Sequence, residues 1–305
     1  MSGALFLPEG GNLRIGGIEI LISAPRATKL RVSNLLYRPF LRRCRGEACA
    51  PLMAVRVICG PGPLRRDLEK VFDTRDSWSL YRDGKNYWLD LTPARSARSL
   101  WSARFDHGAR RVDLYCLPEA QGIHGQRVVS LPLTYPLDQL LLMYFLARRK
   151  GILTHAAGMA RGGKAFIFPG VSGAGKSTFS GLLVQARCGK MLSDERIIVR
   201  EIAGVMQAFG TPWAGTAGLA RNASAPLAGI FFLKHGKRNR IEKLDAAAAA
   251  DRLLPMASIP WYDPGTSAPI IGFAKRLAAR VPAYELSFTP GLPASDFFRN
   301  FIRTA

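Results

Sequence analysis

The chain has 305 residues, 48% hydrophobic and 21% charged, with 43 Lys and Arg against 22 Asp and Glu, a formal net charge of +21. That length and mix suit a folded protein with a sizeable core and exclude a low-complexity polypeptide. The longest unbroken apolar run, LLLMYFLA at 140–147, is far too short to cross a bilayer as a helix.

The five cysteines, Cys44, Cys49, Cys59, Cys116 and Cys188, form no CxxC pair, which argues against a zinc site and a disulfide framework. The N-terminal MSGALFLPEGGNLRIGG has no basic stretch before an apolar one, so no secretory signal is expected and the cytoplasm is the expected compartment. Positive charge is spread: residues 1–130 carry 21 basic and 12 acidic residues (+9), and 131–305 carry 22 and 10 (+12). Such an excess suits an acidic peptide, nucleic acid or a membrane surface; a compositional habit of the host proteome would give the same count. The densest clusters, RPFLRRCR and KHGKRNR, are short and lack the interleaved aromatics of a single-strand binder, so nucleic acid is the less favoured partner.

In chain order, RIGGIEILIS, MAVRVIC, SWSLYRDGKNYWLDL and RRVDLYCL predict short strands, with a hairpin turn at Asp83-Gly84. Residues 1–130 therefore read as a mostly β domain. From Leu131 the texture changes. Pro136 opens a predicted helix, PLDQLLLMYFLARRK, with Leu140, Leu141, Tyr144 and Phe145 on one face and Gly151 as its stop. Strands and helices then alternate to the end, so 131–305 reads as an α/β domain. No internal repeat is visible.

Within that half, residues 170–177, GVSGAGKS, fit G-x-x-x-x-G-K-[ST] at every fixed position, with the strand-like AFIF before and the helix-like STFSGLLVQA after. Glycines let the backbone turn its N–H groups onto phosphate oxygens, and the helix N-terminus adds partial positive charge. Gly170, Ser172, Gly173, Ala174, Gly175, Lys176, Ser177 and Thr178 are the expected phosphate-binding set, with Lys176 on the β- and γ-phosphates and Ser177 on Mg²⁺. Asp194-Glu195, some eighteen residues further on, is the acid pair such a site needs, to hold the metal or take the proton of an attacking hydroxyl. His155 is expected on a strand one hairpin before the loop, where it is either a packed core histidine or a group near the transferred phosphate.

THAAGMARGGKAFIFPGVSGAGKSTFSGLL, MLSDERIIV and the later GTPWAGTAGLARNAS together resemble the catalytic domain of HPr kinase/phosphorylase and its related P-loop kinases. Some of that group belong to peptide-modification gene clusters. The resemblance covers roughly Leu131 to Phe288. It implies His155 as the active-site histidine, Asp194 as general base and a metal ligand, and Glu195, where the family often has aspartate, on the metal. Arg221 is expected to clamp the transferred phosphoryl group. The family's G-x-x-R-R-T-like loop is missing, which sets HPr itself and the reverse phosphorolysis apart from this chain.

The expectation is thus a P-loop kinase domain of HPr-kinase type behind an N-terminal mostly β domain. ATP and Mg²⁺ would serve transfer to a hydroxyl, of Ser or Thr in a peptide or small protein that is itself acidic. The competing classes are a nucleotide-gated module docking an acidic partner or nucleic acid, and a small-molecule kinase. The resemblance also allows a homo-oligomer.

Overall fold

Alternation of apolar and polar residues, the period of a half-buried strand, shapes the first half of the chain. In MAVRVIC, for example, Met53, Val55 and Val57 are buried while Arg56 is exposed. The computed structural model describes residues 5–42, 52–63, 67–93, 99–121, 127–132, 134–171 and 173–304. Cys44, Cys49, Ser172, and Arg43 and Arg45 of the RPFLRRCR run, lie outside them. The protein is mixed α/β with large β-sheets, in two units: residues 1–145 with 261–264, and residues 146–260 with 265–305.

The first unit begins with β1 (Leu5–Pro8), β2 (Gly10–Ile15), β3 (Ile18–Ser23), β4 (Thr28–Val32), β5 (Leu41–Arg42) and β6 (Met53–Cys59). It continues with β7 (Glu69–Asp73), β8 (Trp78–Asp83), β9 (Asn86–Leu91), β10 (Trp101–Asp106), β11 (Arg111–Cys116), β12 (Ala120–Gln121) and β13 (Arg127–Ser130). Nine of these form one sheet, β5-β2-β3-β6-β11-β10-β9-β8-β7, and four another, β1-β4-β13-β12. The Asp83-Gly84 hairpin is present between β8 and β9, with Asp83 opposite Asn86. RIGGIEILIS, expected as one strand, instead holds the end of β2, the hairpin turn and the whole of β3, because Gly16 and Gly17 both take positive φ and reverse the chain. Tyr87 donates to the buried Asp263 at 2.6 Å, and burial pushes its phenol up to about 12.

α1 (Leu137–Ala147) follows the predicted helix but ends earlier. Gly151 does not stop it; it is the first residue of the next strand. A Cβ there would lie 2.6 Å from Leu146 and 3.0 Å from Arg200, so close packing, not a helix cap, asks for glycine.

In the second unit β14 (Gly151–Arg161) and β15 (Lys164–Pro169) form a hairpin, followed by α2 (Lys176–Gln185). Then come β16 (Lys190–Ser193), β17 (Arg196–Ile202), β18 (Val205–Gly210), β19 (Ser224–His235) and β20 (Arg240–Leu244). α3 (Ala246–Leu253), α4 (Pro264–Arg280), β21 (Ala283–Phe288) and α5 (Leu292–Thr304) complete it. The sheet runs β15-β14-β17-β18-β19-β21-β20, and β19 also pairs parallel with β15, so five strands close into a ring. β15, β19 and β21 run parallel, which brings their C-terminal ends to one edge, where ligands bind in α/β sheets. Beneath that edge Phe179 of α2 packs against Phe168, Phe288 and Phe298 with ring centres 5.1–5.6 Å apart. All four rings are fully buried, so the helix that begins at Lys176 stands on a rigid floor.

Candidate active site

Residues 170–175 join β15 to α2. Gly175 takes φ +90°, a left-handed conformation that costs a side-chain-bearing residue free energy, and this orients the first turn of α2. Lys176, 6% exposed, curls back so that its Nζ donates to the carbonyls of Gly170 at 2.7 Å and Val171 at 3.0 Å. Burial, with Arg196 adding to it, lowers its amine from the ordinary lysine value, and Glu195 opposes the shift. Ser177 and Thr178 are exposed at the helix start.

β14 ties this loop to the acid pair. The Gly170 amide donates to the carbonyl of His155 at 3.3 Å, and the amide of the next residue on β14, Ala156, donates to the carbonyl of Glu195 at 3.1 Å. β16 and β17 both pair with β14, and the ladder is irregular at Gly158/Met159. Asp194 and Glu195 stand in the gap between β16 and β17. Breaks of this kind re-aim side chains beside functional sites.

The two acids then differ. Asp194 is 2% exposed, and its two oxygens accept the amides of Gly215 and Ala217, each at 2.9 Å. Ser193 Oγ donates to the carbonyl of Trp213 at 3.1 Å, and Thr211 Oγ1 to that of Arg196 at 2.6 Å. The GTPW segment is therefore docked over the acid pair. Glu195 instead meets His155, Oε1 to Nε2 at 2.9 Å. Burial first, then the charges of Lys176 and Arg196, hold the imidazole below the ordinary histidine range, while Glu195 pulls the other way. A carboxylate has no hydrogen to give, so the Nε2–H of the neutral ring is the donor.

His155, Glu195 and Lys176 thus come together. Arg221 is exposed, and its backbone amide is pinned to Leu192 at 2.9 Å. Arg196 was not singled out from the sequence. It is the cross-strand partner of His155, so the two side chains share a face, and its guanidinium donates to Ser258 at 3.2 Å. Its position directly after the acid pair was the available signal.

Among the described residues no group of three or more His, Cys, Asp or Glu is placed to hold a metal, and no helix is long and apolar enough to cross a membrane. In the first unit an open cavity of about 600 Å³ holds Arg56, Arg104 and Arg111 with Asp106 and Asp113; there Arg56 pairs with Asp113 at 2.8 Å.

The family model described as "SynChlorMet cassette protein ScmC" matches residues 137–290, just over half of the chain. A solved structure described as the Hpr(Ser) kinase/phosphatase from Coxiella burnetii is similar over 50% of this chain and 88% of that one, at 12% identity. Its TM-score of 0.29 is too low to carry an argument. The search of curated proteins found no match.

Proposed function

The chain belongs to the family described as SynChlorMet cassette protein ScmC, and from that premise we propose that it is a cytoplasmic ATP-dependent phosphotransferase acting on a hydroxyl of a peptide or small protein. The family's description names no reaction, so the reading rests on the site. The observation that carries it is the joining of three parts: the Gly170–Ser177 loop ahead of α2, the buried Lys176, and the His155–Glu195 pair next to it.

In this reading the loop amides and the N-terminal end of α2 hold the β- and γ-phosphates, and Lys176 adds a charge-assisted contact. Mg²⁺ wants hard oxygen ligands, few from the protein and the rest from phosphate and water. The Ser177 hydroxyl and the nearby acids suit that demand, with Asp194 less free because both its oxygens accept amides. When bound, the ion would neutralise charge developing on the phosphates. Glu195, in contact with a neutral His155, takes the proton of the attacking hydroxyl, while Asp194 holds the 215–217 turn and the base role expected for it passes to its neighbour. Arg196 supplies positive charge beside His155 and Lys176, and Arg221 is a second cation of the same reading. Positioning and charge neutralisation do nearly all the work, because phosphoryl transfer asks for little covalent chemistry from the protein.

The test is incubation of the purified protein with γ-labelled ATP and a size-fractionated lysate of its source cell. Label on peptide or protein that survives acid, as a Ser or Thr phosphoester does, supports the reading. ATP binding without transfer to any acceptor would move the chain to the class of nucleotide-gated modules.

A further inference from the structure

The cluster KHGKRNR has no part in the chemistry above, yet the sheet carries its first residues to the phosphate loop. Ile167 of β15 is level with Ile230 of β19 in their parallel pairing, so Pro169 is level with Phe232. β15 ends there, whereas β19 continues for three residues to His235. His235 thus stands past the end of β15, level with Phe288 of β21 at the sheet edge. A Cβ placed on Gly175 would lie 3.1 Å from both Cε1 and Nε2 of His235 and 3.0 Å from Phe288, so the imidazole borders the loop directly.

Its surroundings are built. The ring leans on Phe288, the last residue of β21, with centres 5.3 Å apart. The Gly236 amide donates to the Phe288 carbonyl at 3.0 Å. Thr289 then donates through its amide to Asn239 Oδ1 at 3.0 Å and through its hydroxyl to the Gly236 carbonyl at 2.9 Å. Three hydrogen bonds therefore fix the turn after β19 to the end of β21. His235 is exposed, and so are Lys237 and Arg238 after it, which keeps this wall cationic.

We propose that this wall is the nucleoside subsite, with the base of the bound nucleoside triphosphate stacked on His235. The proposal deepens the phosphotransferase reading and rests on the Gly170–Ser177 loop as a phosphate cradle. A flat exposed ring, propped from behind and bordering that cradle, is a surface on which the base of a nucleotide can stack while its phosphates occupy the loop. Stacking recognises the π-face that every base offers and does not require hydrogen-bond readout.

Calorimetry with ATP and with inorganic tripolyphosphate, both with Mg²⁺, separates the subsite from the cradle. His235→Ala is expected to weaken ATP binding by roughly 5- to 150-fold, the range of one lost base stack. Tripolyphosphate, which has no base, should bind the variant as it binds the wild type, and this also shows that the variant is folded. His235→Phe, which keeps a flat ring, should retain ATP affinity. Unchanged ATP affinity in His235→Ala overturns the subsite, as does an equal loss of both ligands, which would make His235 only a prop for Gly175. A wild type that binds tripolyphosphate as tightly as ATP overturns the subsite alone. A wild type that binds neither overturns the cradle and the subsite with it.

Discussion

Glu195 and Asp194 are adjacent in the chain and opposite in circumstance. One faces a histidine, and the other is buried with both oxygens on backbone amides. At saturating ATP and Mg²⁺, Glu195→Gln is therefore expected to lower single-turnover transfer about 10²–10⁴-fold, the usual loss for a positioned base. Transfer at near wild-type rate would take the base role from Glu195. Asp194→Asn places an N–H₂ against an amide that needs an acceptor, so stability should fall by about 1–3 kcal/mol, seen as a lower denaturant midpoint. Lys176→Ala should weaken ATP binding roughly 10- to 150-fold, the equivalent of one hydrogen bond to a charged group, measured by calorimetry. The titration of His155, followed by NMR, should have its midpoint below the ordinary histidine value of 6.5, chiefly through burial, and Glu195→Gln should lower it further by removing the charge that favours the imidazolium. The sign for stability follows. As pH falls through 6.5 the unfolded chain takes up a proton at this residue before the folded one does, so the contribution is full above that value and declines below it.

Elements matter here through where they end. α2 begins at Lys176 and is held from below by Phe179 against Phe168, Phe288 and Phe298. Phe298 belongs to α5, the last helix, so the far end of the chain supports the loop. Phe298→Ala should lower unfolding free energy by about 3–5 kcal/mol through the cavity it leaves, checked by urea denaturation. The segment 211–217 is the opposite case. It has little regular structure and is docked by hydrogen bonds from Ser193, Thr211, Gly215 and Ala217. A family resemblance pointed to this segment without saying what it does; its contacts show it covering the acids.

Across the whole molecule the salient quantity is the charge of +21. If it recruits an acidic acceptor, acceptor affinity should fall steeply with salt, because the Debye length shrinks from about 10 Å at 0.1 M to about 3 Å at 1 M. ATP affinity should fall less, since Lys176 is largely shielded from solvent. A flat acceptor titration over that range would make the charge a matter of composition alone.

Local pattern was enough to read much of this chain. Strand alternation in MAVRVIC, the Asp83-Gly84 turn and the strand–loop–helix around GVSGAGKS are short-range features, each written in a few consecutive residues. The β2–β3 turn and the role of Gly151 are not legible in the sequence, because a Gly-Gly pair is compatible with either a strand or a turn, and because the atoms that crowd Gly151 come from Leu146 and Arg200. Residue identity alone could not distinguish the surroundings of Asp194 from those of Glu195. That difference depends on which backbone amides a segment twenty residues away presents to Asp194. The approach of His235 to the loop is also long-range: it follows from the parallel register of β15 and β19, strands separated by more than fifty residues. Sequence carries the chemistry of each group, and pairing between distant strands decides which groups share a site.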